Sequence, residues 1–153
     1  MNIIDIQRIF KSPNQPSDSQ LELWVNTVLT NLDDDFELTI RIVDEVESAQ
    51  LNGTYRHKQG ATNILSFPFE VPDGMELNLL GDLVICASIL EREAKVQNKP
   101  LHNHWAHIVM HGTLHLLGYD HIDDADALEM ESKEIELLQT LSIPNPYETD
   151  TDL

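Results

Sequence analysis

The chain has 153 residues, of which 41% are hydrophobic and 24% charged, so its composition is that of a globular domain and not of a disordered or fibrous protein. This length fits one domain, residues 1–153, that buries about two-thirds of the surface of its unfolded chain. The formal net charge of −18, from 27 acidic and 9 basic residues, argues against a broad surface for nucleic acid or for an anionic membrane.

The N-terminal segment mixes polar and charged side chains with apolar ones and then reaches two prolines, so it lacks the apolar run of a signal peptide or a membrane span. We therefore expect a cytoplasmic protein without a membrane partner. Residues 1–17 and 144–153 are predicted to be loosely ordered ends, although the segment from Ile3 to Ile9 could add an edge strand.

Helical spacing of apolar residues predicts a first helix from Asp18 to about Leu32, with Asp18 or Ser17 as its N-cap. Residues 36–43, FELTIRIV, alternate apolar and polar side chains and predict a strand with one buried face. A helix is then expected from Asp44 to about Leu51, because Asn52 and Gly53 readily end helices in a left-handed turn.

Two further strands are predicted at NILSFPF, residues 63–69, and GDLVICA, residues 81–87. Cys86 lies in the second run; it is the only cysteine, which excludes an internal disulfide and fits a buried position in a reducing compartment.

Three helices complete the prediction: residues 88–97, a long helix from Pro100 to Gly118, and residues 123–141 with Leu128, Ile135, Leu138 and Leu141 on its apolar side. Strands and helices mix without regular βαβ alternation, so the fold class is α+β: a single domain with a small mixed sheet of about four strands and about five helices. There is no glycine-rich phosphate loop, which argues against a nucleotide cofactor.

Four histidines of the long helix, at 104, 107, 111 and 115, project within about 80° of one another on a single stripe. Positions 107 and 115 are about 12 Å apart along the axis, so all four cannot bind one ion. His107 is therefore interpreted as a core residue or as a hydrogen-bond partner of a ligand. His57, His102 and His104 are expected at the surface or in loops.

His111 and His115, one helical turn apart, can direct two nitrogens to one point, and the stop at Gly118 lets the chain fold back and deliver His121. Three imidazoles that leave a fourth position open are typical of a catalytic zinc site. We therefore predict one zinc ion bound by His111, His115 and His121, although ligand type alone also permits nickel, copper or iron.

The segment HGTLHLLGYDH has the ligand and glycine spacing of the metzincin pattern HExxHxxGxxH. It differs where those peptidases carry the glutamate that acts as general base, because this chain has Gly112 there. Asp120 or Asp123 could substitute as the general base, but acids at such positions more often cap a helix or accept a hydrogen bond from a metal-binding side chain.

These residues resemble the YbeY family of bacterial endoribonucleases, which act in ribosomal RNA maturation. HGTLHLLGYDH is similar to the metal signature of the family, and LNGTYRHKQGATNILSFPFE followed by LLGDLVI is similar to its second characteristic block. The similarity covers roughly residues 38–140, and two such blocks in this order are highly specific.

The resemblance implies a zincin-like α+β fold, zinc on the three histidines and a functional role for Arg56 in the YR step. It also implies single-strand-specific cleavage of ribosomal RNA, action on defective ribosomes, and ribosomal and ribosome-assembly proteins as partners. The metal could polarise a phosphate oxygen or activate water while Arg56 binds phosphate, or both could orient RNA for attack by its 2′-hydroxyl.

Two other functions remain open from the sequence. The ligand spacing fits a zinc metallopeptidase-like hydrolase, which Gly112 opposes. The acidic composition fits a non-enzymatic, zinc-stabilised adaptor for ribosome assembly, because such a surface suits basic ribosomal proteins.

Overall fold

The computed structural model describes residues 1–32, 34–75 and 78–148, so residues 149–153 of the predicted loose end, 144–153, lie outside them. In chain order the elements are β1 (Ile3–Arg8), α1 (Asp18–Leu29), β2 (Glu37–Val43), α2 (Glu45–Arg56), β3 (Ile64–Pro68), β4 (Leu79–Cys86), α3 (Ala87–Val96), α4 (Leu101–Leu116) and α5 (Asp124–Thr140). The expected α+β fold of four strands and five helices is confirmed.

The four strands form one mixed sheet in the order β1-β2-β4-β3. β1 and β4 both run parallel to β2, whereas β3 runs antiparallel to β4 at the edge. β1 is the edge strand that the segment from Ile3 to Ile9 predicts, and it lies within residues 1–17, which were also expected to be loose. Its backbone pairs with β2 from Ile3 opposite Glu37 to Arg8 opposite Ile42.

Among the described residues, no strand pairs with the outer edge of β3. Because Cys86 N–H donates to Asn63 C=O and Phe69 N–H donates to Leu80 C=O, the odd-numbered residues bond to β4 and the even-numbered ones face outward. Asn63 Oδ1 accepts from the outward N–H of Ile64 at 2.7 Å, and Pro68 has no N–H to offer. The backbone positions of Ile64 and Pro68 therefore offer no free N–H to a further strand at this edge.

Helix α2 is longer than the sequence predicts. It passes through Asn52 and Gly53 and ends at Arg56, with His57 in the left-handed conformation at φ 57°. The side chain of Asn52 is buried and donates to the carbonyl of Gly60 at 2.9 Å, so it fixes the following loop while its backbone stays helical. A tertiary hydrogen bond therefore overrides the local tendency of Asn-Gly to end a helix.

The main core lies between the sheet and the helices α1 and α4, and both tryptophans, Trp24 and Trp105, are buried in it. Helix α1 is N-capped by Ser17 and ends at Leu29, so Leu32 lies beyond it and is exposed. The opposite face of the sheet carries a smaller cluster of Val43, Leu65 and Val84 beside α2. Cys86 is fully buried, as expected.

Helix α4 packs unusually close to the sheet at Gly112. A Cβ at this position would lie 2.5 Å from Ile64 Cδ1 and 2.9 Å from Leu83 Cδ2. A side chain here would require the ends of Ile64 and Leu83 to shift, so the glycine allows α4 to lie close to β3 and β4 without such a rearrangement.

Helix α5 buries only part of its predicted apolar side. Leu138 is fully buried and Leu141 packs partly buried against the core, as predicted, but Leu128 is 66% exposed. The other buried positions are Met130, Glu134 and Leu137. A glutamate thus takes a place on the apolar stripe.

Within the described ranges, none of the helices is long and apolar enough to cross a membrane.

Candidate metal centre

The histidine stripe of α4 meets two acidic side chains contributed by the neighbouring helices. His104 faces α3, where its Nε2 lies 2.9 Å from Glu93 Oε1, and it is only 4% exposed. The expectation of a surface position for His104 is therefore wrong, because α3 packs against α4 and covers it. His57 and His102 are exposed, as predicted.

His111 and His115 turn their rings toward each other. Their Nε2 atoms are 3.1 Å apart, and their ring centroids are separated by 4.6 Å. On the far side of each ring, His111 Nδ1 lies 2.7 Å from Glu134 Oε1 and His115 Nδ1 lies 2.9 Å from the carbonyl oxygen of Tyr119. Each imidazole is thus held by an acceptor at Nδ1.

The chain reverses direction directly after α4. Tyr119 N–H donates to Leu114 C=O, and Gly118 adopts φ 104°, a conformation that side chains disfavour. This turn returns His121 to the helix, where its ring centroid lies 5.0 Å from that of His115 and 5.9 Å from that of His111. The three histidines of the predicted site therefore lie together, with His121 exposed.

Glu134 is the residue of this centre that the sequence did not reveal. Its side chain is fully buried, and Oε1 contacts both His111 Nδ1 and His107 Nε2, the latter at 3.2 Å. The other oxygen, Oε2, accepts from the hydroxyl of Tyr147 at 2.6 Å. The signal was its position between Met130 and Leu137 on the buried stripe of α5, where a charged residue needs partners.

The electrostatics of this network are set by burial and by hydrogen bonds. Desolvation acts to raise the pKa of Glu134, but hydrogen bonds from His107 and His111 outweigh it and lower that pKa to about 2. Burial lowers the pKa of His107 and of His115, which favours their neutral forms. Burial and the adjacent carboxylate raise the pKa of Tyr147, so its hydroxyl stays a donor.

Among the described residues, one group of side chains brings three potential ligand atoms close enough together to hold a metal ion. His107, His111 and Glu134 each offer one ligand atom, and these atoms lie within 4.8 Å of one another. Their contacts of 2.7 and 3.2 Å have the length of direct hydrogen bonds between ring and carboxylate. In the set predicted from the sequence, the Nε2 atoms of His111 and His115 lie 3.1 Å apart, whereas the ring of His121 lies 5.9 and 5.0 Å from theirs, centroid to centroid. His107, interpreted from the sequence as a core residue or as a hydrogen-bond partner of a ligand, contacts Glu134 and is itself a member of the group with Glu134 and His111.

The two aspartates considered as substitutes for a general base have structural partners. Asp123 is the N-cap of α5 and accepts from the backbone N–H of Asp126 at 2.8 Å. Asp120 Oδ1 accepts from the backbone N–H of His121 at 2.7 Å. Both contacts shape the turn that carries His121.

Arg56 lies in the last turn of α2 and is exposed beside β3. Its Nη2 donates to the outward carbonyl of Ser66 at 2.5 Å, and its guanidinium carbon lies 5.2 Å from the ring centroid of Phe67. Ser66 is two residues along β3 from Ile64, which packs at the Gly112 position of α4. The same edge strand thus borders Arg56 and the helix that carries His111.

Comparison with known proteins identifies the family. A family model described as Endoribonuclease YbeY matches residues 7–142. This chain belongs to the YbeY family. A curated relative named Endoribonuclease YbeY from Colwellia psychrerythraea is 55% identical, over 95% of this chain and 97% of the relative. A second relative of that name, from Alteromonas mediterranea, is 56% identical, over 97% of this chain and 98% of the relative.

A solved structure shares the fold. The solution structure of TM1509 from Thermotoga maritima matches with a TM-score of 0.61 and 23% identity, over 99% of both chains. The alignment with YbeY relatives and the structural match both span nearly the whole chain, so the resemblance inferred from two sequence blocks extends across the described domain.

Proposed function

We propose that this chain is a metal-dependent endoribonuclease that cleaves single-stranded ribosomal RNA during maturation and ribosome quality control in the cytoplasm, with one zinc ion bound by His111, His115 and His121. The observation that carries the metal assignment is the 3.1 Å separation of two Nε2 atoms whose rings are both held at Nδ1. Membership of an endoribonuclease family supports RNA as the substrate.

The tautomers of His111 and His115 follow from the groups that accept hydrogen bonds from their Nδ1 atoms. A backbone carbonyl and an ionised carboxylate can only accept, so Nδ1 of His115 and Nδ1 of His111 each carry a proton. When both imidazoles are neutral, neither Nε2 carries a proton and their lone pairs face each other at 3.1 Å, whereas a proton on either Nε2 would make the same contact a hydrogen bond. Two nitrogens bound to a tetrahedral zinc ion at 2.0–2.1 Å would be about 3.3 Å apart, which is close to the separation here. A cation relieves the repulsion of these lone pairs.

Imidazole nitrogen is a ligand that zinc favours, and His121 supplies the third ring. When bound, the zinc ion supplies a Lewis acid that polarises a phosphate oxygen or lowers the pKa of water. The protein contributes the fixed orientation of the rings, through Glu134 and the Tyr119 carbonyl.

Arg56 is suited to bind a phosphate of the RNA. The other three arginines pair with carboxylates: Arg8 with Asp18, Arg41 with Glu47 and Arg92 with Glu45. Among the described residues Arg56 has no carboxylate partner, and its one hydrogen bond to a carbonyl leaves further N–H donors for a phosphate. The contact with Ser66 fixes the side chain at the edge of β3.

Ribosomal and ribosome-assembly proteins are proposed as partners because the net charge is −18. An acidic surface attracts basic proteins and repels the backbone of free RNA. Binding through such partners would bring Arg56 and the histidines to a chosen RNA segment that the chain alone holds weakly.

The decisive experiment combines metal analysis with RNA cleavage. Native mass spectrometry should find one zinc ion in the wild type and much less in His111→Ala, His115→Ala and His121→Ala, whereas His102→Ala, an exposed histidine of the same helix, should keep it. Cleavage of single-stranded ribosomal RNA fragments should fall at least 100-fold in the three variants and in Arg56→Ala. Arg92→Ala, which removes an exposed ion-paired arginine, should retain activity. Equal cleavage after removal of the metal would refute the proposal.

The same protein samples test the two alternatives. A peptidase would hydrolyse casein and leave RNA intact, but Gly112 stands where the metzincin pattern has its general-base glutamate. A non-enzymatic adaptor would bind zinc without turnover of either polymer, and His115→Ala would unfold it.

A further inference from the structure

We infer that Glu134 is a positioning residue for the metal centre and that Tyr147, from the segment after α5, holds Glu134 in place. This inference rests on the proposed function, because it concerns how His111 presents its Nε2 atom to the metal. Nothing in the alignment of sequence blocks points to either residue, since both lie outside the histidine signature.

The first step of the argument is the burial of Glu134. A fully buried carboxylate is costly unless each oxygen has donors, and here both oxygens do. His111 and His107 occupy Oε1, and the hydroxyl of Tyr147 occupies Oε2. A leucine in this place would extend the apolar stripe of α5 without the desolvation cost of a buried carboxylate. We therefore attribute the presence of the carboxylate to its hydrogen bond with His111 Nδ1.

The second step is the geometry of His111. A carboxylate at Nδ1 fixes the ring orientation, keeps the proton on that nitrogen and makes Nε2 a stronger donor to a metal. His115 receives the same support from a backbone carbonyl, which no substitution of a side chain can remove. His111 is therefore the ligand whose orientation depends on a replaceable group.

The third step is the route of the chain after α5. Ile143 is buried in the main core, and Lys99 Nζ donates to the carbonyl of Pro146, so residues 143–147 are tied back onto the domain. Tyr147 packs edge-on against His107, with ring centroids 5.3 Å apart, while its hydroxyl bonds to Glu134. Part of the predicted loose end is thus connected to His111 through two hydrogen bonds.

The test measures metal affinity directly, by competition of Co²⁺ and Zn²⁺ with a chromophoric chelator, together with the visible absorption of the Co²⁺-loaded protein. Glu134→Gln keeps the shape of the side chain and removes its charge, so we expect affinity to fall by about 10-fold or more and the Co²⁺ bands to shift. Tyr147→Phe should lower affinity less, by a few-fold. Glu136→Gln makes the same change at an exposed position of α5 and should behave as wild type.

A purely structural role for Glu134 would lower the melting temperature of the metal-free protein and leave affinity and Co²⁺ bands unchanged; that result overturns the inference while the proposed function stands. Loss of metal in Glu134→Gln with retention in His115→Ala and His121→Ala would make Glu134 a ligand and would also overturn it. If Glu134→Gln does not fold, Tyr147→Phe decides, because unchanged affinity there refutes the connection. Failure of the wild type to bind either metal would instead refute the proposed function.

Discussion

Gly112 stands out in the sequence because it replaces a catalytic glutamate of the metzincin pattern, whereas in the structure it matters for the packing of α4. Against the metzincin pattern it marks a missing glutamate, which is all that its spacing discloses. In the fold, a Cβ at this position would lie 2.5 Å from Ile64 Cδ1 and 2.9 Å from Leu83 Cδ2, so these side chains would have to shift to admit it. The glycine therefore also serves the packing of α4 on the sheet, which a one-dimensional pattern does not express.

Gly112→Ala should destabilise the protein relative to Gly53→Ala, which is a matched substitution inside another helix. Both changes gain helix propensity, by up to about 1 kcal/mol, but the Cβ at 53 meets nothing closer than 3.8 Å, to the carbonyl of Lys58. Overpacking at 112 should cost about 1–3 kcal/mol. Urea denaturation of the two metal-free variants measures this difference, and equal stabilities would show that α4 can move away from the sheet without cost.

The sequence did not reveal the role of Glu134 and placed His104 wrongly at the surface, and one physical cause underlies both. Whether a polar side chain on a helix is exposed depends on which helix packs over it, and that partner is distant in sequence. The proximity of His111, His115 and His121 was accessible to prediction because one helical turn and one glycine stop bring their rings together through local geometry.

At the level of elements, helix and strand positions followed from periodicity, whereas helix ends did not always follow. The alternation of Leu38, Ile40 and Ile42 predicted β2, and these residues are buried as expected. The end of α2 was misplaced because the buried amide of Asn52 bonds to Gly60, eight residues away. Strand order was beyond the sequence, since it depends on pairings such as β2 with β4 that cross two intervening elements.

Glu93 joins α3 to α4 and makes their packing dependent on pH. Desolvation acts to raise its pKa, but hydrogen bonds from His104 and Asn63 outweigh this and lower the pKa from 4.5. A carboxyl whose folded-state pKa is depressed stabilises the fold above its unfolded-state pKa, and this stabilisation is lost as pH falls through the folded-state value.

Glu93→Gln should therefore lower the free energy of unfolding by about 1 kcal/mol at pH 7, and this deficit should shrink as the pH falls below 4.5. Denaturation of metal-free wild type and variant across pH 7 to 3 measures the difference. Glu22→Gln, at an exposed position of α1, should show no such trend. A deficit that is the same at both ends of the range would mean that the carboxylate charge contributes nothing.

At the level of the whole molecule, the metal centre joins three parts of the chain: α4, the turn that carries His121, and α5. An ion bound to such a centre stabilises the folded state, because the unfolded chain cannot hold the three rings together. Binding of the ion and folding of the domain are therefore thermodynamically linked.

Saturation with zinc should raise the melting temperature of the metal-free protein. At a free concentration 100 times the dissociation constant the gain is about 2.7 kcal/mol, which for a domain of this size corresponds to roughly 5–10 °C. Differential scanning calorimetry with and without a chelator measures the shift, and His111→Ala should not respond. An equal shift in that variant would locate the stabilising ion elsewhere.

Arg56 also covers part of the outer backbone edge of β3, and this affects how the activity of its variants should be measured. Pro68 and Asn63 already blunt this edge, and the guanidinium covers the Ser66 carbonyl. Truncating Arg56 exposes an acceptor on a bare strand, which is the type of surface on which chains associate edge to edge. Lost turnover could then reflect self-association, so specific activity should be assigned only to the monomer fraction isolated by gel filtration.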